Sequence, residues 1–183
     1  IRDFKERSAT GGHSDFERDP TRGFAHYAYM VDDQLDEEGK PVFRSTGMKV
    51  TTQATDSQGR NLIPKRDYID ARSGDRAGRT EDVAGGASTD AAKFGQWYRD
   101  VNGVNLSMPL PIVLKRNAGT NIYTFNDRTD NTYRNMGGFF PINGDLWGNY
   151  SNTEKNYHFT TEIETRFVYD RATNQVFTFT GDD

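Results

Sequence analysis

The strongest constraint on the fold is a strict alternation near the C-terminal end. In NYHFTTEIETRFVY, Asn156 to Tyr169, the residues Tyr157, Phe159, Thr161, Ile163, Thr165, Phe167 and Tyr169 share one face. His158, Thr160, Glu162, Glu164 and Arg166 share the other. A period of two is that of a strand with one buried and one wet face. Asp170 to Asn174 supplies a turn, and Gln175 to Thr180 alternates again, so the pair reads as an antiparallel hairpin. The chain then reaches Asp182-Asp183, where two adjacent carboxylates gather four hard oxygens at a strand end. Such a group suits calcium, which takes six to eight oxygen ligands. The hairpin satisfies only one side of the strand 175–180. A further strand, from residues beyond Asp183 or from another polypeptide, is expected to complete the sheet.

Composition supports a β structure with a thin aromatic core. Only 33% of the chain is hydrophobic, and the mean hydropathy is −0.88, yet there are 12 Phe, 9 Tyr and 2 Trp. Aromatic side chains each bury a large area, so few aliphatics are needed. Eighteen Gly, with many Thr and Asn, fit strands joined by long loops. The net charge of −4 gives no electrostatic case for nucleic acid. No apolar run reaches transmembrane length, so no membrane insertion is expected. The absence of Cys removes disulfides and thiol chemistry. The tripeptides Asn105-Leu106-Ser107 and Asn149-Tyr150-Ser151 are N-glycosylation sequons, which matter only if the source glycosylates exported proteins; chance occurrence is the simpler reading of the sequence.

Along the chain, Ser14-Asp15-Phe16-Glu17 has capping-box spacing for a short helix. Phe24 to Met30 reads as an edge strand or ordered loop, and Asp32 to Lys40 as an acidic turn. Pro41 suits the first residue of a strand. Residues 45–90 form a loop-rich insertion, with the Gly-rich, charged stretch Arg72 to Ala87 as an exposed loop. The main helix is expected over 89–101, where Ala91, Phe94, Trp97, Tyr98 and Val101 fall on one stripe. Leu110, Ile112 and Leu114 alternate as a strand; Asn117 to Asn121 turns and Ile122 to Phe125 returns. Asn126 to Asn131 is a polar loop, and Gly137 to Asn149 a packed, irregular one. The expected core joins Phe94, Trp97 and Tyr98 to Tyr157, Phe159, Phe167 and Phe179.

Catalytic patterns are missing. His13, His26 and His158 are far apart in sequence, with no HExxH spacing. There is no G-x-S-x-G elbow, and the Gly pairs are not followed by Lys-Ser or Lys-Thr. Glu162 and Glu164 would lie about 6–7 Å apart along a strand, within reach of glycosidase geometry. A solvated strand face with Arg166 as an ion-pair neighbour explains them more simply. No enzyme activity is expected.

The blocks IRDF at 1–4, HSDFE at 13–17, GKPVF at 39–43, FGQWYRDVNGVN at 94–105, FFPING at 139–144, NYHFTTEIETRF at 156–167 and FTFTGDD at 177–183 resemble the fibro-slime domain, a relative of the PA14 β-sandwich family. The resemblance spans nearly the whole chain. It implies a mostly β fold, an antiparallel β-sandwich of PA14-like, jelly-roll type, with one main helix and long loops, here lacking its C-terminal part. It implies an extracellular or cell-surface module of bacterial origin. In sugar-binding PA14 relatives an adjacent Asp-Asp pair holds calcium, and the resemblance puts Asp182 and Asp183 in that place. The expected function is surface adhesion to a glycan with calcium assistance, Trp147 and Tyr150 stacking on the sugar. The alternative is a structural module of a surface fibre or assembly, completed by another chain and without a small ligand.

Overall fold

A computed structural model describes residues 1–62, 73–150, 153–164, 166 and 168–173. Its strands, in chain order, are β1 (Arg2–Phe4), β2 (Tyr27–Ala28), β3 (Val31–Leu35), β4 (Pro41–Phe43), β5 (Met48–Thr52) and β6 (Ala54–Thr55). There follow β7 (Asn61–Leu62), β8 (Arg79–Ala84), β9 (Asn105–Ser107), β10 (Lys115–Arg116), β11 (Tyr123–Thr124) and β12 (Phe159–Thr160). Among the described residues, two short helices, α1 (Ala91–Gln96) and α2 (Asn131–Met136), complete the regular elements, apart from a 3₁₀ turn at Arg171–Thr173. The molecule is mostly β, and its strands pair antiparallel in several small sheets, as the sequence indicates. One sheet has the order β12-β1-β9 and another β2-β5-β8, while β3-β4, β6-β7 and β10-β11 are two-stranded.

β1 is central in its sheet. Asp3 lies opposite Leu106 on one side and Phe159 on the other, which ties three distant segments together. The core lies against this sheet. Phe4, Phe94 and Ile142 are almost fully buried. Phe4 stacks on Phe16 at 4.8 Å, and Phe16 leads to Trp97 and then to Phe94, Tyr98 and Phe43, with ring centroids 5.2–6.0 Å apart. A second aromatic group joins Phe125, Tyr133, Phe139 and Phe159.

Several expectations are corrected. The helix expected over 89–101 is confined to Ala91–Gln96, capped by the Asp90 carboxylate on the Lys93 N–H, and the chain turns from Trp97. α2 lies between the two stretches expected to be loops. Ser14 caps no helix: residues 14–17 form turns, and the Ser14 hydroxyl bonds Asp15 and Thr89. The stretch 45–90, expected to be loop-rich, carries β5 to β8, and β8 (Arg79–Ala84) lies within the stretch Arg72 to Ala87 that was expected to be an exposed loop. Leu110 to Leu114 is not a strand, because Pro109 and Pro111 remove two ladder donors.

The long alternation 156–169 contributes, among its described residues, only β12 to a sheet. Its expected faces are reversed at the start: Asn156 and His158 are buried, while Tyr157 and Ile163 are 50% and 64% exposed. The expected core is therefore rearranged. Phe94, Trp97 and Tyr98 pack with Phe4, Phe16 and Phe43, while Phe159 contacts Phe139 instead. Phe167, Phe179 and the strand 175–180 lie outside the described residues.

Candidate functional site

β1 carries Arg2, Asp3 and Phe4 in succession, and both Asp3 and Phe4 are buried. A buried carboxylate is costly unless hydrogen-bonded, and Asp3 is fully engaged. Its Oδ2 accepts the backbone N–H of Trp147 at 2.7 Å, and its Oδ1 accepts the Asn156 amide at 2.8 Å. Burial pushes the Asp3 carboxyl up, and these hydrogen bonds oppose that shift. Asn156 donates a second time, to the Gly148 carbonyl at 2.9 Å, and its Oδ1 accepts the His158 N–H at 3.0 Å. Its own backbone N–H donates to Asn143 Oδ1 at 2.8 Å. Asp3 and Asn156 thus clamp the loop 143–150 onto the central strand.

The clamp positions both aromatics that the sequence singles out. Trp147 is 38% exposed, and the Lys5 ammonium sits 4.1 Å over its ring. Tyr150 is half-buried, and its ring meets that of His158 edge-on at 4.7 Å. A hydrogen bond to the Glu6 carboxylate raises the Tyr150 phenol above its ordinary value. His158 Nε2 lies 3.1 Å from Glu17 Oε1. Glu17 and Leu146 both have left-handed backbone, with φ of 55° and 57°. Such conformations in non-glycine residues are uncommon and gather at functional sites. The outcome is a surface with an exposed indole, a phenol, one ammonium and two carboxylates on a rigid base. Apolar ring faces beside fixed polar groups are what a polyhydroxylated ligand needs for stacking and orientation.

The other polar clusters serve different ends. Asp15 accepts from the Ser88 hydroxyl and the Thr89 N–H, both at 2.9 Å, and from the Thr89 hydroxyl. It anchors the approach to α1. Burial would raise its carboxyl, but these bonds bring it below its ordinary value. A cavity of about 460 Å³ opens beside Arg2, Lys40, Asp100 and Glu162. There Arg2 pairs with Asp100 and Glu162, each at 2.7 Å, and Lys40 also pairs with Glu162. The hydrogen bond from Lys40 is foremost in holding the Glu162 carboxyl below its ordinary value. A general acid needs the opposite shift. Glu164 lies 3.8 Å from Arg166, the neighbour expected from the sequence.

Asp182 and Asp183 lie outside the described residues. Among the described residues, no three or more of His, Asp and Glu gather in a metal-binding group. Nor is any helix there long and apolar enough to cross a membrane. Asp3, Asn156 and His158 were not legible as site residues. Their burial leaves no pattern in the sequence.

No family model matches this chain, and no solved structure matches it. It is similar to three proteins of Dictyostelium discoideum. Protein psiF is 29% identical over 100 residues, covering 51% of this chain and 14% of psiF. Protein psiD is 32% identical over 97 residues, covering 49% of this chain and 17% of psiD. Protein psiQ is 29% identical over 103 residues, covering 49% of this chain and 9% of psiQ. The matched stretch is thus about half of this chain and less than a fifth of each relative. These relatives are not bacterial.

Proposed function

We propose that the chain is an extracellular, non-catalytic adhesion module that contacts glycan through the loop 143–150. One observation carries the reading: Trp147 is held half-exposed by a hydrogen bond from its own backbone to the buried Asp3. A large apolar ring kept at the surface by a buried polar clamp is a preorganised platform. It loses little side-chain freedom on binding. Lys5 lies over it, and Glu6 and Glu17, at Tyr150 and His158, add groups able to bond sugar hydroxyls. The test is retention of the full chain on a panel of insoluble polysaccharides. Trp147→Ala is expected to weaken retention about tenfold, the equivalent of about 1.4 kcal/mol. Unchanged retention, or none on any polysaccharide, overturns the reading. Calcium assistance rests on Asp182 and Asp183 and is scored separately. Chelation, or Asp182→Asn, should lower retention if the metal takes part.

A structural role in an assembly is favoured by a different observation. Val113, Leu114, Ile122 and Tyr123, on and beside the β10–β11 hairpin, are each 57–68% exposed. Large apolar side chains exposed about one hairpin suit an interaction site. Concentration-dependent association that is lost in Ile122→Asp, together with no retention on polysaccharide, would favour this second role.

A further inference from the structure

The chain carries two sequons, and the structure treats their asparagines in opposite ways. Asn105 is 5% exposed. Both hydrogens of its Nδ2 are used, on the Gln96 carbonyl at 3.0 Å and the Arg99 carbonyl at 2.8 Å. Its Oδ1 accepts the Val101 N–H at 3.0 Å. An N-linked sugar would replace one of those hydrogens and add a bulky polar group. A chain modified there cannot close the segment 96–105.

Asn149 is exposed, in the clamped loop. Its Oδ1 accepts the Gly144 N–H at 2.7 Å, which fixes the side-chain amide across the turn. Among the described residues its Nδ2 donates to nothing, so a substituent there breaks no bond to any of them. Two positions earlier stands Trp147, 38% exposed. Gly148, with φ of +86°, reverses the chain between them, and its N–H donates to the Asp145 carbonyl at 2.8 Å. An exposed indole two residues before an exposed acceptor, across a tight turn, is within reach of the first sugar's apolar face.

We propose that Asn149 is an N-glycosylation site whose first sugar packs on Trp147, and that Asn105 is unmodified in folded molecules. The donor is an oligosaccharide linked through pyrophosphate to a lipid. Asn149 Nδ2 forms the bond to sugar C1 as the C1–O bond to pyrophosphate breaks. The pyrophosphate leaves with the electron pair, and a base of the transferring enzyme takes the Nδ2 proton. This goes beyond the adhesion reading, because the sugar is covalent. Lys5 lies over one face of the indole, so a sugar packed on the other leaves no open platform. Trp147 then serves adhesion only in molecules unmodified at Asn149. Covalent sugar survives dialysis and adds mass, whereas retention on polysaccharide does neither, so the two readings fail separately.

The test is to direct the full chain through the secretory pathway of Dictyostelium discoideum cells. Glycans are then released enzymatically in ¹⁸O-water and the peptides mapped, so that each occupied Asn is marked by its conversion. The secreted and cell-retained pools are mapped in parallel, so a chain that stays inside is still scored. The mark is expected at Asn149 and not at Asn105 in secreted molecules, and Asn149→Gln should remove the glycan mass. Glycosylated protein should melt about 2–4 °C above its deglycosylated form, and Trp147→Ala should abolish that difference while leaving the sugar attached. An unmarked Asn149 in both pools, or a marked Asn105 in secreted protein, overturns the assignment. A melting difference that persists in Trp147→Ala overturns the packing.

Discussion

Asn156 shows how much one buried polar side chain can determine here. It completes the coordination of Asp3, holds the Gly148 carbonyl and caps the His158 N–H. Asn156→Ala would leave a buried carboxylate and a carbonyl short of partners, at a cost of about 2–3 kcal/mol. A lower denaturation midpoint at unchanged slope would register it. His13 illustrates the same economy in its protonation. The Asp15 N–H donates to its Nδ1 and its Nε2 faces the Lys93 carbonyl, both at 3.2 Å, so the neutral ring is the one that fits. Burial foremost lowers its pKa. The unfolded ring titrates near about 6.5, so below that the unfolded chain binds more protons than the folded one. Stability is therefore full above about pH 6.5 and falls as pH drops through the lowered folded value. Asp15, also lowered, adds a second loss at more acid pH. Asp3, raised by burial, works in the opposite sense. His13→Gln keeps a donor for Lys93 and removes the titration. Urea unfolding from pH 7.5 to 5 should lose its slope in that variant, and a persisting slope would point to another group. Of the two aromatics expected to be exposed, Trp147 is exposed, whereas Tyr150 is half-buried against His158. The residues beneath them were not legible from sequence, because alternation assigns a polar residue to the wet face by default, and His158 went there.

At the scale of elements, two turns share one design. In Asp36-Glu37-Glu38-Gly39-Lys40 the Asp36 carboxylate accepts the N–H groups of Glu38 and Lys40 at 3.0 and 2.8 Å. In Asp56-Ser57-Gln58-Gly59-Arg60 the Asp56 carboxylate accepts those of Gln58 and Arg60 at 2.9 and 2.8 Å. The remaining acidic oxygen binds Arg99 in the first turn and Arg60 in the second. Gly39 and Gly59 take the left-handed position, with φ of +74° and +78°. These turns connect β3 to β4 and β6 to β7. At Gly59 an added Cβ would meet nothing within 4 Å, so only the backbone resists substitution. Gly59→Val should cost about 1–2 kcal/mol, and Gly59→Asn clearly less, because Asn tolerates that region. Equal melting temperatures for the two variants would refute the backbone account. The first turn lies within the stretch expected to be acidic and turn-like, Asp32 to Lys40, but the first four residues of that stretch belong to β3. The second was lost in the stretch 45–90, because its strands are too short and too polar to alternate. α2 escaped for a related reason. Its six residues are fewer than two helical turns, although Asp130 before it and Gly137 after it supply both caps.

For the whole molecule, the central position of β1 determines how the chain closes. Three residues join segments more than a hundred positions apart, with Arg2 opposite Ser107 and Thr160. β1 carries the clamp through Asp3 and the core through Phe4. Nothing in its composition distinguishes RDF from an exposed terminus, so the sequence pattern directed attention to the long C-terminal alternation instead. Phe4 is 1% exposed and touches the rings of His13 and Phe16, whereas Phe159 is only half-buried and, among the described residues, makes one ring contact, to Phe139 at 6.4 Å. The two substitutions to Ala remove the same atoms, so they differ only in surroundings. Phe4→Ala leaves a cavity between the sheet and the aromatic chain running through Phe16 to Trp97, at a cost of about 3–5 kcal/mol. It should also loosen β1 and the loop clamped to Asp3, so that Trp147 fluorescence shifts together with stability. Phe159→Ala, at a partly solvated site, should cost clearly less and leave Trp147 in place. The check is chemical denaturation of both variants followed by tryptophan emission. A larger loss at Phe159 than at Phe4 would move the centre of the fold back to the long alternation.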